Sequence, residues 1–144
     1  MNDEQIRLVQ DSFQKVAPIA DAAAQIFYAR LFDLDPSLSS LFKGDIEEQG
    51  RKLMQMLGLA VKSLDHMEQF LPAVRTLGAR HVGYGVQEKD YDTVGRALLW
   101  TLGQGLGDAF TPEVEAAWAE VYATLAAAMQ SGAAVEVGAL AYAH

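Results

Sequence analysis

The sequence contains no cysteine. That excludes a disulfide framework, cysteine-ligated zinc, iron–sulfur clusters and a cysteine nucleophile. It also suits a reducing cytoplasm. Basic residues are scarce: 11 lysines and arginines face 19 acidic residues, for a formal charge of -8. An acidic surface repels phosphate backbones, so nucleic acid is not an expected partner. No apolar run approaches the ~20 residues of a membrane span. The opening MNDEQIRLVQ is acidic and polar, where a signal peptide would be basic and then apolar. A soluble, cytoplasmic protein with no membrane partner is expected. Strand signals are missing too, since no alternating apolar/polar run is long enough for a sheet. There is no HExxH, no paired Glu-x-x-His, no GxSxG and no P-loop. A metal site made only of protein ligands is therefore poorly supported.

What is present is helical patterning over 144 residues, enough for one domain with one core. Asn2 caps a first helix, with Gln5 three residues on. Ile6, Val9, Phe13 and Val16 form its stripe. A second helix spans about 19–34, with Ala20, Ala24, Phe27, Tyr28 and Leu31 inward. Asp35-Pro36 joins a cap to a first-turn proline and starts a short helix ending near Phe42. Asp45 and Glu48 form a capping pair for a helix whose stripe is Ile46, Gln49, Leu53, Met56, Leu57, Ala60 and Leu64. A helix over about 67–82 follows. Its stripe of Leu71, Val74, Leu77 and His81 is apolar until it reaches the imidazole, and Gly83 and Gly85 then stop it. Two long helices complete the pattern. One starts near Lys89 and carries Tyr91, Val94, Leu98, Leu102 and Leu106, its end weakened by glycines at 103, 105 and 107. The other starts at Thr111-Pro112 and carries Val114, Trp118, Val121, Tyr122, Leu125 and Met129. The spacing predicts six or seven helices in an all-α domain over 1–131. The small, apolar tail 132–144 carries no assignment.

Three polar residues interrupt the stripes: Tyr28, Gln49 and His81. Each alone has an ordinary explanation. A tyrosine packs inward with its hydroxyl on a carbonyl, a glutamine sits at a solvent edge, and a histidine is satisfied within the core. Together they ask for partners, because each buried polar group without one costs about 1–3 kcal/mol. They can be partnered by each other, by backbone or by something bound. One histidine is enough for a haem, whose iron takes four porphyrin nitrogens and one proximal imidazole.

The order of Tyr28, LDPSLSSLF, QGRKLMQMLG, LGARHVGYGV, DYDTVGRALL and AAWAEVYATLA resembles the globins. It is more closely similar to bacterial single-domain globins of the flavohaemoglobin type, over about residues 3–130. The resemblance implies a three-over-three helical sandwich around haem b. His81 matches the proximal iron ligand and Phe42 the phenylalanine packed on the porphyrin. Tyr28, Gln49 and Leu53 match the distal trio, and Tyr91 a tyrosine near the proximal side. Leu57, Leu77, Val86 and Val94 fall among the apolar haem contacts. Lys52 and Arg80 suit the haem propionates as well as they suit a solvated surface.

The implied ligands are oxygen, nitric oxide and other diatomic haem ligands. Oxygen on ferrous haem takes on superoxide character, and Tyr28 and Gln49 can donate hydrogen bonds to it. Oxygen held and polarised in this way is suited to convert nitric oxide to nitrate. Because the chain ends at His144, turnover is expected to need an external electron donor. A glutamate that the family places in the last helix falls by register on Ala133, with Glu136 one turn away, so the push of that carboxylate on the proximal histidine is expected to be lost. Two alternatives stand beside this reading. One is non-catalytic oxygen storage, delivery or gas sensing by the same pocket. The other is a haem-free helical interaction domain, which leaves the inward polar trio unexplained.

Overall fold

Caps and turn residues set the helix boundaries. The computed structural model describes the backbone of residues 2–42, 44–83 and 88–143, with side chains except at 41, 80–83, 88 and 133–143. Helix α1 runs Asp3–Val16 and begins with the expected capping box, in which Asn2 accepts from the Gln5 N–H and the Gln5 side chain accepts from the Asn2 N–H. A 3-10 turn over Ala17–Ile19 leads into α2, Ala20–Leu34. Asp35 then accepts from the Ser37 N–H at 3.1 Å and caps a second such turn, Pro36–Leu41. Helix α3 runs Ile46–Lys62. Its Asp45 cap accepts from the Glu47 N–H, one residue earlier than the capping pair expects. Glu48 lies instead 3.8 Å from Lys52, one turn on. A third 3-10 turn, Ser63–His66, passes directly into α4, Met67–Gly83. Helix α5 runs Glu88–Leu106. Gly107 ends it with a φ of 56°, a left-handed conformation that favours glycine. Thr111 caps the last helix through its hydroxyl, which accepts from the Val114 N–H at 3.2 Å. That helix, α6, runs Pro112–Ala143 and carries the tail on without a break.

The helices sort into two layers, with α1, α3 and α4 lying over α2, α5 and α6. The main core joins α1, α3, α5 and α6 around Trp118, which is fully buried. The Trp118 indole N–H donates to the Ser12 hydroxyl at 2.8 Å, and that hydroxyl lies 2.7 Å from the Leu8 carbonyl. The polar end of a large apolar side chain is thereby satisfied inside the core. A second cluster gathers Phe27, Tyr28, Leu31 and Leu38 with Ala97 of α5. Among the described residues, no helix is long and apolar enough to cross a membrane.

The α3 stripe divides in two. Gly50, Ala60 and Val61 are buried, and Leu64 is buried in the turn that follows. Ile46 and Met56, expected inward, are 37% and 40% exposed. With Gln49 and Leu53 between them, both half-buried, they form a separate line at i, i+3, i+7 and i+10 along the helix. Gly50 lies so close to α2 that a Cβ there would be 2.9 Å from the Ala24 Cβ. That approach turns the Gly50 side of α3 into the core and leaves the other line on its flank.

Candidate functional site

Tyr28 stands at the centre of an aromatic cage. Its ring centroid lies 5.2 Å from Phe27 and 5.2 Å from Phe42, both edge-on, and 6.0 Å from Phe32, stacked. Phe32 and Phe42 meet edge-on at 5.5 Å. Quadrupolar rings favour these arrangements. The helical period explains the grouping: Phe27, Tyr28, Leu31 and Phe32 share one side of α2, and the turn after α2 brings Phe42 back onto it. Burial pushes the Tyr28 hydroxyl up to about 12, so it keeps its proton at any physiological pH. No hydrogen bond among the described residues involves that hydroxyl.

The sequence-derived site residues divide as follows. Tyr28, Phe42, Leu53 and Val94 come together in this second cluster, joined by Leu98. Gln49 is half-buried one residue before Gly50, whose added Cβ would sit 3.5 Å from the Tyr28 ring. Leu57 packs into the main core instead. With Leu53, Phe27 and Thr101 it lines a mostly apolar cavity of about 20 Å³ between α2, α3 and α5. Lys52 is on the surface beside Glu48. Leu77 is half-buried on α4. Arg80 and His81 fall within α4, but their side chains lie outside the described ones, as does Val86 altogether.

Tyr91 is buried near the start of α5. The Tyr122 hydroxyl donates to its carbonyl. Gly95 makes room for this, since a Cβ there would be 2.7 Å from the Tyr122 ring. Burial raises both hydroxyls above the usual tyrosine range, with Asp90 adding to the shift at Tyr91.

Two features fit a large, flat, mostly apolar group. Among the described residues, helix α4 packs on α6 and makes at most slight contact with α2, α3 or α5. The Ile46–Gln49–Leu53–Met56 line of α3 is three-quarters apolar yet only partly covered, with Leu53 packed on the Tyr28 cluster. Among the described residues no group of three or more histidine, cysteine or acidic side chains could hold a bare ion. A porphyrin supplies its own four nitrogens and needs one imidazole. The residues present fit a haem.

Sequence reasoning missed Phe32 and the close-approach glycines 50, 78, 95 and 132. A glycine inside a helical pattern is the available signal, because it weakens the helix unless packing requires it.

Comparison with known proteins agrees with this geometry. The sequence profile of the globin family matches residues 25–129. Flavohemoproteins of Rhodopirellula baltica and Vibrio cholerae are each 30% identical over 129 residues, covering 88% of this chain. The chain spans about a third of their length, 32% and 33%. A neuroglobin of Danio rerio is 30% identical over 139 residues, with 87% of both chains covered. Among solved structures, an engineered carbene transferase from Rhodothermus marinus, named a candidate nitric oxide dioxygenase, superposes with a TM-score of 0.87. It is 28% identical, and the match covers 98% of this chain and 99% of that one. By sequence and fold the chain belongs to the globin family, in which haem and oxygen binding are implied.

Proposed function

We propose that this globin holds haem b between α3 and α4, binds oxygen tightly, and converts nitric oxide to nitrate with an electron from an external donor. The observation that carries the reading is Tyr28, a buried residue whose protonated hydroxyl joins no hydrogen bond among the described residues, caged by Phe27, Phe32 and Phe42. When bound, haem supplies an iron that takes a diatomic ligand and shifts electron density onto it. This chain supplies the surroundings. His81 is the proximal ligand. The Tyr28 hydroxyl donates to the ligand's outer atom, with Gln49 as a second donor. Phe42, Leu53 and Val94 wall the space and exclude water, and the resemblance adds Leu77 and Val86 as further apolar contacts. The resemblance assigns Lys52 and Arg80 to the propionates and Tyr91 to the proximal side. One oxygen molecule, one nitric oxide and one electron balance to one nitrate. The flavohemoprotein relatives and the Rhodothermus structure support the nitric oxide reading. The cysteine-free composition supports a cytoplasmic setting.

A second reading is non-catalytic oxygen storage, delivery or gas sensing by the same pocket, and a neuroglobin stands among the relatives beside the flavohemoproteins. One experiment separates the two. Absorption spectra of the purified protein, oxidised, reduced and reduced under oxygen, are expected to show a Soret band and a persistent oxygenated form. Nitric oxide added to that form should convert it to ferric haem within mixing time, with stoichiometric nitrate. Slow conversion favours storage. A colourless protein that takes up no haemin refutes both. His81→Ala should lose stable haem retention, and parent-like spectra and affinity in that variant would remove the proximal assignment.

A further inference from the structure

The helix that carries His81 is held differently from the others. Among the described residues, α4 packs along α6 and has no comparable contact with the rest of the domain. That contact is a two-sided glycine interlock. A Cβ on Gly78 of α4 would run into the backbone of Met129 on α6. A Cβ on Gly132 of α6 would run into the backbone of Arg75 on α4. Arg75 and Gly78 are three residues apart, as are Met129 and Gly132, so each helix offers one glycine and receives one, about a turn apart. At such crossings glycine Cα hydrogens face carbonyl oxygens directly. The opposing atoms are backbone and cannot rotate away as a side chain can.

We propose that Gly78 and Gly132 are positioning residues. They set how deeply α4 seats on α6, and thereby hold His81, one turn beyond Gly78, at its working distance from the haem iron. The inference rests on His81 being the proximal ligand. A methyl group at either position requires carbon contacts of about 3.5–4.0 Å with the opposing backbone, which shifts α4 by on the order of 1 Å. Metal–ligand distances tolerate only about 0.2 Å. The shift exceeds that tolerance several-fold, and among the described residues no helix but α6 packs extensively on α4.

The test compares haem-loaded Gly78→Ala and Gly132→Ala with the parent and with Val9→Ala. Val9 is fully buried in α1, which has no extensive contact with α4 among the described residues, so its truncation lowers stability away from the interlock. Circular dichroism reports folding. In the ferrous, unliganded state the iron–histidine stretching band in resonance Raman spectra should move to lower frequency in both glycine variants. Haem transfer to an excess of a scavenger apoprotein should speed up about tenfold or more, in the range seen when a ligand loses its orienting partner. Val9→Ala should show the parent's band. In a His81→Gly background supplied with free imidazole, adding Gly132→Ala should leave the band unchanged, because the detached ligand no longer feels α4. A parent-like band and transfer rate in folded Gly78→Ala and Gly132→Ala overturn the proposal. If neither variant folds, hydrogen exchange of the haem-bound parent decides. Amides of residues 76–79 protected as strongly as those of 126–129 support the interlock, and rapid exchange at 76–79 overturns it, since a helix that opens cannot fix a distance. Failure of the underlying reading looks different: His81→Ala would keep haem and the parent's band whatever the glycine variants do.

Discussion

Replacing Tyr28 with phenylalanine removes one oxygen atom and keeps the ring. In the apoprotein that oxygen belongs to a residue only 7% exposed and joins no hydrogen bond among the described residues. A fully buried hydroxyl without a partner carries a desolvation penalty of about 1–3 kcal/mol, and the Tyr28 oxygen, which keeps some contact with solvent, carries the lower part of it. The variant apoprotein should therefore be more stable, by about 1 kcal/mol after some water access is allowed for. That corresponds to a rise of roughly 3 °C in Tm for a chain of this size. In the oxygenated holoprotein the same hydroxyl is a donor to an acceptor bearing partial charge. Such a bond contributes about 1.5–3 kcal/mol, and each 1.4 kcal/mol is a factor of about ten. Oxygen dissociation should speed up about 10- to 150-fold. Urea unfolding of the apoprotein measures the first effect, and stopped-flow displacement of oxygen by carbon monoxide measures the second. The two have opposite signs for the molecule, one a gain in stability and the other a loss of ligand retention. A tyrosine kept for packing alone would give a weakened apoprotein and an unchanged off-rate, and that pair of results refutes the reasoning.

Two further outcomes follow from geometry already described. Gly50→Ala places a methyl 2.9 Å from the Ala24 Cβ; overpacking of about 1–3 kcal/mol should outweigh the ~1 kcal/mol gain in helix propensity. Adding Ala24→Gly should recover most of the loss in a double-mutant cycle of urea midpoints, and a Gly50→Ala protein more stable than the parent contradicts the close crossing. Burial raises Tyr28 to about 12 in the folded state, above an unfolded value of about 10. Its contribution to apoprotein stability is thus fully present below pH 10 and is lost as pH rises through 12, by on the order of 2–3 kcal/mol. Unfolding curves at pH 9 and pH 12 should show that fall, and Tyr28→Phe should make it smaller; an equal fall in the variant assigns it to other groups.

Capping chemistry is local, and it was legible. Asn2-Gln5, Asp35-Pro36 and Thr111-Pro112 all open helices where their spacing says they should. Inward polar residues were legible as well, because Tyr28 falls on the same side of α2 as Phe27 and Leu31. The α3 stripe was read as one face because seven apolar-periodic positions fit a single pattern. Only the approach of Ala24 to Gly50, set by α2, decides which half is covered. The glycine interlock was hidden for the same reason. A mid-helix glycine reads locally as weakness, and Gly78 and Gly132 acquire meaning only when α4 and α6 cross. The tail lacked a reading because its small apolar residues show no period that separates one face from another, whereas the backbone continues α6 to Ala143.

The bond from Trp118 to Ser12 spans 106 residues of sequence. During synthesis at about 5–20 residues per second, α1 emerges and then waits roughly 5–20 s before the indole that closes its core exists. For that interval the apolar face of Val9, Phe13 and Val16 has the core residues of α2, α3 and α5, with Leu64 and Met67, to meet as they appear. Substitutions that make this face more apolar should therefore lower the yield of nascent chain that reaches the native state, even where they leave the finished protein unharmed.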